Sequence, residues 1–198
     1  MKIAIFGGSF DPPHLGHLQI ASSLVEHRLV DEVWFVPVGS HAFSKNLTAI
    51  ADRLKMLELL IVAGSHKNHF KINDYEVKLA TTSITYNTMK HFSQIFPEHE
   101  FCFVMGSDQL SNFHKWHDYQ KLTAEFSVLV YPRCQDEKCD FSEYQRIAKQ
   151  LNLTFLEGFP VVMTSSTDAR NFGSEIKLSK MVSLEVARYI VVNQLYRV

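Results

Sequence analysis

An apolar run, a turn of small residues and a helical repeat follow one another within the first 25 residues, and that succession confines the fold. Lys2-Ile3-Ala4-Ile5-Phe6 is short and continuously apolar, as a strand buried on both faces must be. Leu18, Ala21, Leu24 and Val25 then recur at helical spacing. Between them Gly7-Gly8-Ser9-Phe10-Asp11-Pro12-Pro13-His14 has to turn the chain from strand to helix. Gly7 and Gly8 allow close backbone approaches, and Pro12 and Pro13 stiffen the exit. A helix beginning near His14 points free N–H groups and its positive end back over the glycines, where nucleotide phosphates bind. His14 and His17 are three residues apart, so they share a helix face and can reach one anion.

The same alternation runs down the chain. Strand patterns near 2–6, 32–37, 69–72, 101–105, 126–131 and 153–156 are separated by helical patterns near 16–28, 50–63, 84–94 and 142–150. This predicts an α/β protein with a parallel sheet and helices on both faces, its ligands at the C-terminal edge of the strands. Ile50, Leu54, Leu57 and Ile61 form the expected apolar stripe of the second helix, with Thr48 as its cap. Ser142, with Gln145 three residues on, is the expected cap of the fourth. Val182, Val186 and Ile190 mark a closing helix, and closing helices are expected over about 166–198. One domain over 1–198 is the economical reading, with Arg133 to Asp140 as a mobile surface loop.

Charge narrows the function. Twenty basic side chains face 21 acidic ones, so no general attraction to a nucleic acid polymer or an anionic membrane is expected. Apolar runs are strand-length and the chain opens directly on a strand, which reads as a soluble cytoplasmic protein. Cys102, Cys134 and Cys139 have no Cys-x-x-Cys spacing, so neither a zinc site nor a disulfide framework is expected; Cys102 lies in a strand pattern as a buried thiol.

Three further segments fall where the fold argument places ligands. Gly39 to Lys45 follows the second strand. Gly106-Ser107-Asp108-Gln109-Leu110 follows the fourth, with Phe113 and Trp116 soon after. A carboxylate such as Asp108 at a strand end suits a ribose hydroxyl pair, and Trp116 suits a flat cationic ring. Ser165-Ser166-Thr167-Asp168-Ala169-Arg170 offers hydroxyls, backbone N–H groups and a bidentate guanidinium to phosphate oxygens.

Gly8-Ser9-Phe10-Asp11-Pro12-Pro13-His14-Leu15-Gly16-His17 resembles the Gly-x-Phe-x-Pro-x-His-x-Gly-His signature of the nucleotidylyltransferase superfamily. Residues 106–116 are similar to its Gly-Ala-Asp-x-Leu-x-x-Leu-x-x-Trp, and 164–170 to its Ile-Ser-Ser-Thr-x-Ile-Arg. Thr82 to Met89 is similar to a segment of the nicotinate mononucleotide adenylyltransferases. The resemblance spans residues 6 to 170 and implies a Rossmann-like nucleotidylyltransferase fold, working in NAD biosynthesis on ATP with Mg²⁺ and a pyridine mononucleotide. It implies ATP contacts from Gly7, Gly8, Ser9, Phe10, His14, His17, Gly106, Asp108, Ser165, Ser166, Thr167 and Arg170. Mononucleotide contacts fall to Ser9, Phe10, Lys45, Ile84, Thr85 and Trp116, and the catalytic work to His14, His17, Lys45 and Arg170. Lys45 departs from the compact Pro-His-Lys of the pyridine-nucleotide branch, since three residues separate it from His41.

No Ser-His-Asp or Cys-His arrangement is present, and an ionised acceptor phosphate needs none; the demand is positioning and charge stabilisation. No carboxylate cage for magnesium is apparent, so phosphate oxygens and water are expected to hold it. An acceptor of the phosphopantetheine type, a cytidylyl donor, and a silent nucleotide sensor are the competing readings. The sequence leaves open nicotinate against nicotinamide and whether the chain forms a homo-oligomer.

Overall fold

The computed structural model describes residues 1–39, 47–79, 82–134 and 140–196. Six strands form one sheet: β1 (Lys2–Gly8), β2 (Glu32–Pro37), β3 (Phe70–Ile72), β4 (Glu100–Gly106), β5 (Ser127–Tyr131) and β6 (Thr154–Phe155). Their order is β3-β2-β1-β4-β5-β6, and every pairing is parallel. The order reverses beside β1, which pairs with β2 through Ile5 and Trp34 and with β4 through Ile5 and Phe103. A doubly wound sheet opens a crevice at that point, beyond the strand C-termini.

The alternating side chains of the strands feed two cores. Ala4, Phe6, Val33 and Phe35 pack on one face with α1 (Leu15–Glu26), α2 (Ile50–Val62), α7 (Ser166–Arg170), α8 (Glu175–Leu178) and α9 (Leu184–Val192). Ile3, Ile5, Trp34 and Val36 pack on the other with α3 (Thr85–Ile95), α4 (Leu110–Phe113), α5 (Tyr119–Glu125) and α6 (Ser142–Gln150). Each fully buried side chain of this size stabilises by about 1.5–3 kcal/mol, so both faces contribute substantially. The expected α/β sandwich with helices on both faces is therefore the observed one.

Local expectations fail in instructive places. The buried stripe of α2 is Arg53, Met56, Leu57, Leu60 and Ile61, rotated from the expected one so that an arginine enters the interior. Its N-cap is Ala49, while Thr48 spends its carbonyl on Arg53 Nε (3.0 Å) and its N–H on Asp11. Ser142 is the first residue of α6 rather than its cap, and donates its N–H to Asp140 Oδ1 at 2.9 Å. Cys102 is a buried free thiol as expected, pushed up to about 12 by desolvation, whereas Cys134 is disulfide-bonded. Of the expected loop from Arg133 to Asp140, residues 135–139 lie outside the described residues, while Arg133 and Cys134 belong to the folded body: Arg133 bridges to Val162, and Cys134 is buried.

Candidate active site

A cleft of about 1050 Å³ opens at the point where the strand order reverses. Gly7, Gly8, Ser9, Phe10, His14 and His17 line it from the β1–α1 turn, and Gly106, Asp108 and Trp116 from the end of β4 onward. Ile84 and Thr85 line it at the start of α3, and Ser165, Ser166, Thr167 and Arg170 at α7. Four segments drawn from between Gly7 and Arg170 thus meet on one cavity. Lys45 lies outside the described residues.

The β1–α1 turn is tightly specified. Phe10 adopts a left-handed backbone, φ 48°, which a non-glycine residue holds only where its surroundings compensate. Its buried ring packs against Phe6, Phe35 and His17 at centroid distances of 5.9, 5.7 and 4.9 Å. Beneath the turn Arg53, 1% exposed, donates from Nη1 to the carbonyls of Ser9 (2.8 Å) and Val38 (3.0 Å). Gly16 is required for space: a Cβ there would meet Val162 Cγ1 at 2.5 Å and His14 Nδ1 at 2.9 Å.

His14 is the N-cap residue of α1, and its N–H donates to His17 Nδ1 at 3.1 Å. That bond places the proton of neutral His17 on Nε2, leaving an N–H donor without a net charge. Both ring nitrogens of His14 are buried and unpartnered among the described residues. Desolvation, then the neighbouring His17 and Arg133, hold His14 well below the ordinary imidazole range. Desolvation and then Arg133 lower His17 to about 3. At neutral pH the pair is uncharged, and a bound anion would favour its protonation.

At the far wall Asp108 Oδ2 accepts Arg133 Nη1 at 3.2 Å and Gln109 Nε2 at 3.0 Å, while its buried Oδ1 has no partner among the described residues. Arg133 also donates to the Thr164 carbonyl at 3.4 Å. Arg170 donates to the Asp11 carbonyl at 2.6 Å and to Thr167 Oγ1 at 3.0 Å. Ser165 caps α7 by accepting the Asp168 N–H at 3.1 Å, and Ser166 Oγ donates to the Pro12 carbonyl at 2.9 Å. The β1–α1 turn and α7 are therefore one hydrogen-bonded unit. Trp116 is half-buried, packed on Phe103 and Phe113 at 5.8 and 5.3 Å between centroids, and also borders the cleft, so it serves packing and cavity together.

Sequence reasoning missed Arg133, Arg53 and Asp11. Arg133 stood in a polar stretch resembling a loop. Arg53 carried a signal in its spacing, since Met56, Leu57, Leu60 and Ile61 lie three, four, seven and eight residues beyond it.

The cytidylyltransferase-like family profile matches residues 5–172, which include every segment lining the cleft. The chain belongs to the cytidylyltransferase-like family. Among curated members it is 31% identical over its full length, and that of the relative, to a probable nicotinate-nucleotide adenylyltransferase of Flavobacterium johnsoniae. It is 33% identical to one of Leptospira interrogans, with 97% of this chain and 95% of the relative covered. A solved structure of similar fold is that of the Plasmodium falciparum nicotinic acid mononucleotide adenylyltransferase, complexed with NaAD. It superposes with a TM-score of 0.85 at 24% identity, covering 98% of this chain and 97% of that one.

Proposed function

We propose that the protein transfers the adenylyl group of ATP to the phosphate of nicotinate mononucleotide. An oxygen of the mononucleotide phosphate attacks the α-phosphorus, the bond to the bridging oxygen of the β-phosphate breaks, and pyrophosphate leaves. The observation that carries this reading is the meeting of the β1–α1 turn, the uncharged histidine pair, Asp108 and Arg170 on one crevice. It supplies donors and positive charge around a phosphate chain, and no protein nucleophile is needed.

The roles follow from position. His17 Nε2–H and His14 donate to phosphate oxygens and gain positive character as charge develops on the leaving pyrophosphate. Arg170 offers a guanidinium whose hydrogen-bond partners among the described residues are a carbonyl and a hydroxyl, neither of which carries a charge. Asp108 Oδ1 awaits a ribose hydroxyl, and Trp116 faces the cationic pyridine ring. Lys45 remains a proposed phosphate ligand on its sequence position alone. Magnesium enters as the ATP complex and is part of the substrate. No group of three or more His, Cys, Asp or Glu side chains converges among the described residues, so phosphate oxygens and water supply most of its ligands.

Nicotinate is favoured over nicotinamide on electrostatic grounds. α3 starts at Thr85, its N-cap residue Ile84 makes no side-chain capping bond, and that helix end borders the cleft. A carboxylate is the better partner for it than a neutral amide. The test is pyrophosphate release by the full chain with ATP and Mg²⁺, alongside nicotinate mononucleotide, nicotinamide mononucleotide and no acceptor. Release with nicotinate mononucleotide in preference to the amide is expected. Silence with both acceptors overturns the reading.

A further inference from the structure

Behind the β1–α1 turn lies a contact with the far end of the chain that the reading above does not use. Asp11 is 3% exposed, and a buried carboxylate is tolerated only when its oxygens are hydrogen-bonded. Oδ2 accepts the Thr48 N–H at 3.3 Å. Oδ1 accepts the hydroxyl of Tyr196, 185 residues away, at 2.7 Å. The backbone carbonyl of the same Asp11 accepts Arg170 Nη1 at 2.6 Å. One residue therefore joins the C-terminal segment, the turn that contains Phe10, and the guanidinium facing the cleft.

The segment carrying Tyr196 is itself anchored. Tyr189, on α9, donates to Asp52 Oδ1 of α2 at 2.8 Å, a second hydroxyl tether of the same segment. Tyr196 lies in the left-handed region at φ 60°, a backbone cost that its contacts must offset. Desolvation chiefly raises the phenol far above its ordinary range, a hydrogen bond with Thr48 opposing it and the bond to Asp11 adding to it.

We propose that Tyr196 is a positioning residue for nucleotide phosphate binding: its hydroxyl fixes the Asp11 carboxylate, and the Asp11 carbonyl thereby sets the Arg170 guanidinium toward the cleft. The inference rests on the adenylyltransferase reading for its kinetic test, but not for its binding test. Tyr196→Phe keeps the ring and removes the hydroxyl, and with it the bond to Asp11 Oδ1 and the hydrogen bond with Thr48. Tyr189→Phe removes the other C-terminal hydroxyl tether without touching the turn and serves as the stability control.

Full-length wild type, Tyr196→Phe, Tyr189→Phe, Arg170→Lys and the Tyr196→Phe/Arg170→Lys pair are compared at a temperature where each is fully folded. Tyr196→Phe is expected to lower kcat/KM for ATP about ten-fold, with KM for the mononucleotide within about two-fold. Tyr189→Phe is expected to lower the melting temperature while sparing both constants. The pair is expected to be little worse than Arg170→Lys alone, because the two changes act on one arrangement. Additive losses, equal weakening of both substrates, or equal kinetic loss in Tyr189→Phe would overturn the proposal in favour of a general role in stability. If wild type turns over no acceptor, the ATP-induced rise in melting temperature replaces the kinetics. A rise kept by Tyr189→Phe and lost by Tyr196→Phe supports the positioning role even as the transferase reading fails; a rise kept by both overturns it.

Discussion

The rings of His14 and His17 lie 3.7 Å apart between centroids, inclined by 31°, and the backbone N–H of the first is bonded to the ring of the second. Two imidazoles at that separation cannot both carry charge in a desolvated site unless an anion joins them. Their spacing thus suits a site that becomes cationic when phosphates are bound.

His17→Ala is expected to lower kcat by about 10²–10³, the cost of removing one preorganised donor to developing charge, with KM for ATP changing by only a few-fold. Steady-state pyrophosphate release reads both constants. Unchanged turnover would remove His17 from the chemistry.

The same pair makes the ligand-free protein acid-sensitive. His17 is lowered to about 3 in the folded state, and His14 moves in the same direction, while the unfolded chain titrates near the ordinary imidazole value. Between those limits the unfolded state binds more protons, so stability is full above the unfolded pKa and is lost as pH falls toward the folded one. The melting temperature of wild type is expected to drop more steeply than that of His14→Gln/His17→Gln between about pH 7 and pH 4, a window set by the imidazole values. Parallel curves would show that other groups dominate.

Arg133 stands between the histidines and Asp108, lowering the first two and pairing with the third. Arg133→Met should raise KM for ATP about ten-fold by removing a charge-assisted partner. The His17 imidazole pKa, followed by NMR in the ligand-free protein, should also rise. A pKa left in place would separate Arg133 from the pair.

Trp116→Ala is expected to raise KM for the mononucleotide by about three- to thirty-fold, as loss of a ring stacked on a cation implies, with KM for ATP spared. The change also empties contacts to Phe103 and Phe113, so Trp116→Leu provides a packed comparison. If Leu restores mononucleotide binding, Trp116 acts by packing rather than by its ring.

Much of this was legible because strand and helix periods are local. The runs Ile3-Ala4-Ile5-Phe6 and Phe101-Cys102-Phe103-Val104-Met105 state their burial in a few residues, and parallel pairing then brings Gly7 and Gly106 to the same edge. What escaped was set by distant partners. Thr48 has the chemistry of a cap, but its N–H and carbonyl are drawn to Asp11 and Arg53, so Ala49 takes that position instead. Arg133 reads as a loop residue until Val162, far along the chain, bridges to it. Tyr196 gives no sign, in its own neighbourhood, of the bond it makes to Asp11.

Gly16 offers a test of how closely α1 must approach the strand edge. Its hydrogen occupies space where a Cβ would lie 2.5 Å from Val162 Cγ1 and 2.9 Å from His14 Nδ1, so Gly16→Ala must displace one or the other. Overpacking of this kind costs about 1–3 kcal/mol, more than the alanine gains from helix propensity. Val162→Ala removes the aliphatic obstacle but leaves the imidazole. The double variant Gly16→Ala/Val162→Ala is therefore expected to recover most of the melting temperature lost by Gly16→Ala, while turnover stays depressed because His14 is still pushed aside. Recovery of both would show that the helix shifts as a body around Val162. Recovery of neither would place the constraint in the His14 ring alone.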